Sequence, residues 1–519
     1  MNVSLLRPDQ LLETSILKKK YSKLIRPPFA TLVSWTVLGL TVHGADQTTT
    51  NDSNANVLLT GNLGKLVTVT TNKVPPSLLP PAAVGMKGQI PSPARGTKIP
   101  DTVQQRQEDQ REGRNELEFF PSFQPRLAPY LAAQDEYGNT ALKPNPLISA
   151  VPLDAPVQQG KYWLSEYGLR YSLQQTFNVV AMSDVMQGDK VLGYYTFDWA
   201  AKWAVFSSTD SGTAGWISAQ IEAQVGLGAP SQTQSPRENI GSLTKPMGIW
   251  SSQNGFRIPE LAWQQSFLNG DAVAVAGMVN QVNYLDVNTY ANSGRSQFMN
   301  SALINSMVLP LTGYNPGVNL QWQPTDAWYA MVGSSVGNSK PGNTPWSDFT
   351  WSYWSVIAEF GWTPNDLLGL GPGVYRVQPF VAEAGGPTQG GLCFNFQQQL
   401  GEHSPFVYFG RFGFGGSQVT RGASAQVGTG FGVIDPLDHA GFSLHRGNDA
   451  VGFGFVWSQP SAGSTPVVHN NEYAFEAVYV LQLTHLAKLQ PDIQIIWNPA
   501  YNPDPGPAVV FQLQLAMSW

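Results

Sequence analysis

The side chains best suited to chemistry in this chain recur at every second position of apolar segments. Glu472, Glu476 and Gln482 fall on one face of Glu472 to Thr484, and Tyr473, Phe475, Ala477, Tyr479, Leu481 and Leu483 fall on the other. Asp492 and Gln494 oppose Ile493, Ile495 and Trp497. Arg411 lies opposite Phe406, Tyr408, Phe412 and Phe414, and Arg376 and Gln378 lie opposite Tyr375, Val377 and Val381. Successive side chains of a strand point to opposite sides, so each segment has one wet, charged face and one greasy face. A charge facing lipid at mid-bilayer costs roughly 2–4 kcal/mol, so in a membrane barrel Arg376, Arg411, Glu472 and Glu476 must face a water-filled lumen. Such groups solvate a passing solute; their spacing builds no bond-making site.

Other chemistries find little support. His43, His403, His439, His445, His469 and His485 are scattered without ligand spacing, and the lone Cys393 permits neither an internal disulfide nor a Cys-rich metal site. His445 and His469 are expected in exposed loops, and Cys393 as a packed small residue. No phosphate-binding loop, nucleophile elbow or Ser/His/Asp spacing is present, so no enzyme activity, cofactor or metal is expected. A net charge of -6 argues against nucleic-acid binding.

These residues need strands to position them. Val509 to Trp519 alternates throughout, with Phe511, Leu513, Leu515, Met517 and Trp519 on one side and Gln512, Gln514, Ala516 and Ser518 on the other. Charged residues make up 13% of the 519, against roughly 25% in ordinary soluble domains. Low charge, 51 Gly and 11% aromatics suit a wet lumen, tight turns and interfacial girdles. Further strands are predicted over Trp199 to Ser207, Ala214 to Val225, Asp271 to Leu285, Gly317 to Gln323, Trp328 to Val336, Trp351 to Trp362 and Val451 to Trp457. About 360 residues at roughly 22 per strand and loop give about 16 strands. The fold class is therefore all-β, a transmembrane antiparallel barrel. Ser231 to Pro259, rich in proline, is a candidate loop folded into the lumen.

The barrel is assigned to residues 161–519. Ahead of it, Lys18-Lys19-Lys20, Lys23 and Arg26 precede an apolar run to Val42 and a small-residue site at Gly44-Ala45, which reads as a signal peptide over 1–45. Residues 46–160, rich in proline and glutamine, read as a mostly disordered linker.

The C-terminal region resembles the carbohydrate-selective, OprB-like porins. Glu472-Tyr473-Ala474-Phe475-Glu476-Ala477-Val478-Tyr479, then Leu489-Gln490-Pro491-Asp492-Ile493-Gln494 and Asn498-Pro499, look like that family's closing hairpins. Gly441 to Gly454, with Arg446, Asp449 and Gly452, resembles its Gly…Arg…Asp…Gly strand. Gln297-Phe298-Met299-Asn300 resembles its Gln-Phe-Leu-Asn motif, and Gln323-Pro324 with Trp328-Tyr329 fits the strand that follows. The chain departs from the family where Tyr162 to Arg170 replaces a Gly-Asp-Trp-Gly-Gly-x-Arg run, and where Gln281-Val282-Asn283-Tyr284 replaces a Gly-Lys pair before Asp286.

The resemblance implies passive uptake of monosaccharides such as glucose across the bacterial outer membrane, with lipid and small sugars as partners and a monomer or trimer as the assembly. The eyelet expected on that basis is Arg376, Arg411, Arg446, Asp449, Glu472, Glu476, Asp492 and Gln494, with Trp322 or Tyr329 able to stack on a sugar face. A general or ion-conducting porin of the same fold is the alternative, followed by an envelope anchor or adhesin in which residues 46–160 are the working part.

Overall fold

The alternating segments close into one ring. The computed structural model describes residues 147–148 and 156–519, apart from 158–159, 162–163, 165–166, 209–212, 228–234, 250–254, 269–270, 326, 338–349, 402–403, 442–448, 462–466 and 505. The expected signal peptide and nearly all of the linker lie outside the described residues. The strands are β1 Leu169–Met182, β2 Val191–Ser208, β3 Thr213–Leu227, β4 Gly255–Phe267, β5 Ala272–Val279, β6 Asn315–Trp322, β7 Trp328–Val336 and β8 Tyr353–Trp362. They continue as β9 Gly373–Ala384, β10 Gln389–Gln399, β11 Phe406–Gly415, β12 Ala423–Ile434, β13 Ala450–Pro460, β14 Glu472–Gln482, β15 Ala487–Trp497 and β16 Ala508–Ser518. Each pairs antiparallel with its neighbours in sequence, and β1 pairs with β16 from Gln174↔Ser518 to Met182↔Val510. No sheet edge is left, as a spanning sheet in lipid requires.

Alternation fixes which side faces out. Val179, Leu261, Leu320, Phe360, Phe412, Phe453, Phe511 and Leu513 are exposed on the outer wall. Asn178, Gln220, Gln264, Asn319, Gln378, Asn395, Gln426 and Gln514 are buried on the inner one. Around the mouth where β6 turns into β7, the ring pairs Trp328–Trp362, Trp362–Tyr375, Tyr375–Phe396 and Phe396–Tyr408 follow one another with centroids no more than 6.3 Å apart. They form part of an interfacial aromatic girdle.

Among the described residues two connections enter the barrel, and both leave strands at the opposite mouth. Residues 235–249 carry a short helix, α1 Pro236–Ile240, with a Ser235/Glu238 capping box, and bury Ile240, Leu243, Thr244 and Met247. This falls within the segment expected to fold inward, although Gly255 onward belongs to β4. Residues 280–314, with a second short helix, α2 Ser301–Ile304, are the longer infolded loop. The strand expected over Asp271 to Leu285 accordingly ends at Val279, and the chain turns inward through Gln281–Asn283. The polar residues that mimic alternation there make inward bonds instead. Gln281 donates to the Val318 and Ser334 carbonyls at 3.2 and 3.1 Å, and Asn283 donates to Glu260 at 3.2 Å.

The lumen is also less wet than its polar wall predicts. Tyr284, Leu285, Phe298, Leu303, Met307 and Leu309 of the loop form an apolar core with Leu243, Phe409 and Val456.

Candidate functional site

The infolded loop is held by charged wall residues. Arg411 (β11) donates Nε to Asp286 Oδ1 and Oδ2 at 3.1 and 3.0 Å, and its terminal nitrogens donate to the Leu303 and Asp286 carbonyls at 2.6 and 2.8 Å. The Asp286 backbone N–H donates to Glu359 at 3.0 Å. Arg376 (β9) donates to the Tyr329 hydroxyl at 2.8 Å and lies 3.5 Å from Glu359, while Tyr329 donates to Glu359 at 2.7 Å. Asn395 (β10) donates to Asp286 Oδ1 at 2.7 Å.

A second group of wall residues holds both inserts on the far side. Glu476 (β14) accepts the Met299 and Asn300 N–H groups at 2.5 and 2.9 Å. Glu472 accepts the Leu243 and Thr244 N–H groups at 2.6 and 2.7 Å and that of Ala500 at 2.8 Å. Gln494 and Gln512 both donate to the Pro246 carbonyl at 2.8 Å and to Asp492 Oδ1, at 2.9 and 3.0 Å. Gly452 and Gly454 make the room this packing needs. A Cβ at Gly452 would lie 2.7 Å from the Phe298 ring, and one at Gly454 would overlap Leu303.

The residues predicted for the eyelet therefore separate in space. Glu472, Glu476, Asp492 and Gln494 come together on β14 and β15, and Arg376 and Arg411 on β9 to β11; all are almost fully buried. Asp449 stands at the opposite mouth, where Oδ1 accepts the Gln482 N–H at 2.8 Å and Oδ2 the Tyr479 hydroxyl at 3.3 Å. Arg446 and His445 lie outside the described residues. Trp322 is on the outer wall, because it shares a face with Leu320 and Val318; Tyr329 is on the inner one. Cys393 is buried beside Ser306, 3.8 Å away.

The wall from β2 to β4 carries polar groups that the sequence reading passed over. Asp198, Glu222 and Arg257 line up across it, with Asp198↔Glu222 and Glu222↔Arg257 as cross-strand partners. Arg257 meets Glu222 at 2.6 Å, and Arg295 reaches from the loop to Asp198 at 2.9 Å. The Arg257, Glu222 and Arg295 side chains keep 11%, 13% and 12% of their surface accessible, unlike the sealed Arg376 and Arg411. Arg257 also lies over the Tyr314 ring, 5.2 Å from its centroid, and the Tyr314 hydroxyl sits 3.5 Å from Glu222. A register shift between Gln220 and Glu222 lets Arg257 and Glu260 both face inward. Inward charge at Asp198 and Glu222 was legible as alternation with Phe197, Trp199, Ile221 and Ala223; Arg295, on an irregular loop, carried no periodic signal.

Half-buried Lys245 stands on the shorter insert. Burial, then repulsion from Arg421, Arg237 and Arg257, brings its ammonium down to about 7 against attraction to Glu238. Burial also raises the Tyr290 hydroxyl to about 12.

A closed sixteen-strand barrel with an apolar outside, a polar inner wall and an inserted constriction loop defines a porin. Residues 208–384 and 382–518 match the sequence model of the family described as "Carbohydrate-selective porin, OprB family", and the chain belongs to that family. Family and fold place it in the bacterial outer membrane as a channel. Porin AaxA of Chlamydia felis is 23% identical over 285 residues, which span 54% of this chain and 62% of that protein, less than two thirds of its length. The high-pH structure of Pseudomonas putida OprB superimposes with a TM-score of 0.57 at 16% identity, covering 69% of this chain and 96% of that one, a likeness of fold.

Proposed function

We propose that this porin passes sugars of monosaccharide size by passive diffusion, through the space between the infolded loops and the β2–β4 wall. The observation that carries this reading is the row Asp198, Arg295, Glu222, Arg257 and Tyr314, in which the Arg295, Glu222 and Arg257 side chains stay partly accessible. A sugar loses water hydrogen bonds when it enters a constriction. Carboxylates and guanidinium groups replace them, and the Tyr314 ring offers an apolar face. Binding stays weak because each charge already has a partner, so the solute can leave.

On this reading Arg376, Arg411, Glu472, Glu476, Asp492 and Gln494 set the shape of the eyelet by fixing the loops, and Asp449 braces the other mouth. The signal peptide over 1–45 would deliver the chain to export. The general or ion-conducting alternative draws its support from the same charges.

Liposome swelling with a pentose, glucose, a disaccharide and a trisaccharide tests the reading. Fast glucose entry, a steep drop at the disaccharide and block of the potassium chloride current by glucose are expected. Entry that only tracks size, without block, would mean a general pore.

A further inference from the structure

A continuous network of buried hydrogen bonds joins the two inserts, and it runs through a pair of acids. From the 280–314 loop, the Met299 and Asn300 N–H groups donate to the two oxygens of Glu476, and the Asn300 side chain donates to Gln494 Oε1 at 3.0 Å. From the 235–249 insert, the Pro246 carbonyl accepts from Gln494 and Gln512, whose Nε2 groups also donate to Asp492 Oδ1. The two halves meet at Glu476 and Asp492. Cross-strand pairing sets Glu476 opposite Gln494 and Val478 opposite Asp492, so the acids are diagonal neighbours on the inner face of β14 and β15. Their carboxyl groups are hydrogen-bonded to each other. Both oxygens of Glu476 and Oδ1 of Asp492 already accept from N–H donors. Asp492 Oδ2 is buried with no N–H or O–H group directed at it among the described residues.

Two ionised carboxylates have no hydrogen to share, and in contact away from water they repel. Nothing here offsets that repulsion. Neither acid has an ion-pair partner among the described residues. From β13, Gly454 faces Glu476, and β16 brings Gln512 and Gln514. Glu472 of β14 is taken up by the Leu243 and Thr244 N–H groups, and Lys488 lies further along β15. The shorter insert carries Arg237, Glu238 and Lys245, and on the longer one Arg295 is bonded to Asp198. The hydrogen between the two acids is therefore a proton carried by one of them.

We propose that Asp492 Oδ2 holds this proton and donates it to Glu476, and that the shared proton is a pH-operated latch between the two inserts, whose loss at high pH widens the constriction. The step is a simple deprotonation. The Asp492 O–H bond breaks, the proton passes to hydroxide at the edge where Asp492 is 5% exposed, and two carboxylates remain. The backbones of β14 and β15 are fixed in the ring, so the two side chains must turn apart. If Glu476 turns, Met299 and Asn300 are released; if Asp492 turns, Gln494, Gln512 and with them Pro246 are released. Asp286 stays clamped by Arg411, so the inserts shift without leaving the lumen. The latch acts on the width of the opening, whatever solute passes, and so goes beyond the sugar-porin reading without resting on it.

Single-channel conductance in planar bilayers, followed from about pH 5 to about pH 10 at constant potassium chloride, provides the test. The unsubstituted protein should hold one level at low pH and step to a larger, noisier level at high pH along a one-proton curve. Asp492→Asn puts an amide hydrogen where the proton sits and keeps an acceptor for Gln494 and Gln512, so it should stay at the low-pH level throughout. Glu476→Gln should lose the step as well. Lys245, its ammonium brought down to about 7, titrates on the same insert, and Lys245→Gln should keep the step. In infrared spectra the carbonyl band of a protonated carboxyl should fade with the midpoint of the conductance step and be weaker at low pH in Asp492→Asn. A conductance flat with pH, or a step that survives Asp492→Asn, would overturn the proposal. So would a step driven by calcium at constant pH, which would put a cation between the carboxylates. Glucose swelling at low pH is read separately: its failure sinks the monosaccharide reading and leaves the latch standing.

Discussion

Asp286 shows how single residues set the constriction. Its φ of 62° is in the left-handed region, which a side-chain-bearing residue adopts only when its surroundings enforce it. Here Arg411, Asn395, Glu359 and the Ser306 N–H all hold it, the last at 2.6 Å. Removing one member of a buried, hydrogen-bonded ion pair costs about 3–5 kcal/mol, because the other is left uncompensated. Arg411→Met should therefore free the 280–314 loop, giving larger and noisier single-channel currents and a lower unfolding temperature. Adding Asp286→Asn to it should recover part of that loss. Unchanged currents in Arg411→Met would show that the pair does not set the opening. The alternation of Arg411 with its apolar neighbours placed it on the inner wall, but its partner lies 125 positions away, on a loop with no periodic pattern.

The barrel wall and its inserts are built for each other at the level of elements. Gly452 and Gly454 alternate with Val451, Phe453 and Phe455 on β13, and the alternation alone reads as a small, wet face. The reason for glycine is Phe298 and Leu303 of the inserted loop, which fill the space a side chain would take. Gly454→Ile should push that loop off the wall, costing about 1–3 kcal/mol through overpacking and raising conductance while the strand content stays unchanged by circular dichroism. A protein with native conductance would mean that Leu303 moves aside freely. The carboxylate of Glu472 acts on the other insert. Glu472→Ala removes the acceptor for the Leu243, Thr244 and Ala500 N–H groups and should loosen 235–249, read as faster proteolysis within it.

At the scale of the whole molecule, the ring closes with residues 169–518 alone, since β1 bonds β16 directly. Leu147 and Ile148 add backbone hydrogen bonds to Gln482 and Leu483 at 3.1 and 2.8 Å, outside that ring. Deleting residues 46–146 should therefore leave single-channel conductance and glucose swelling unchanged. Loss of both would assign that segment to the pore and revive the view that it is the working part.

The sequence by itself determined the barrel. A period of two is a local property, and charge on one face with aromatics on the other has few stable outcomes in a membrane, so inward charges and family were legible in Glu472 to Trp519 and its like, and the length of the alternating region set the strand number at about 16. The tertiary structure alone decided what those charges do. Arg376, Arg411, Glu472 and Glu476 could each face solute or brace the wall, and the choice depends on where loops 235–249 and 280–314 pack. Those loops are irregular and held by contacts between residues far apart in the chain. No spacing in the sequence records which wall they press against.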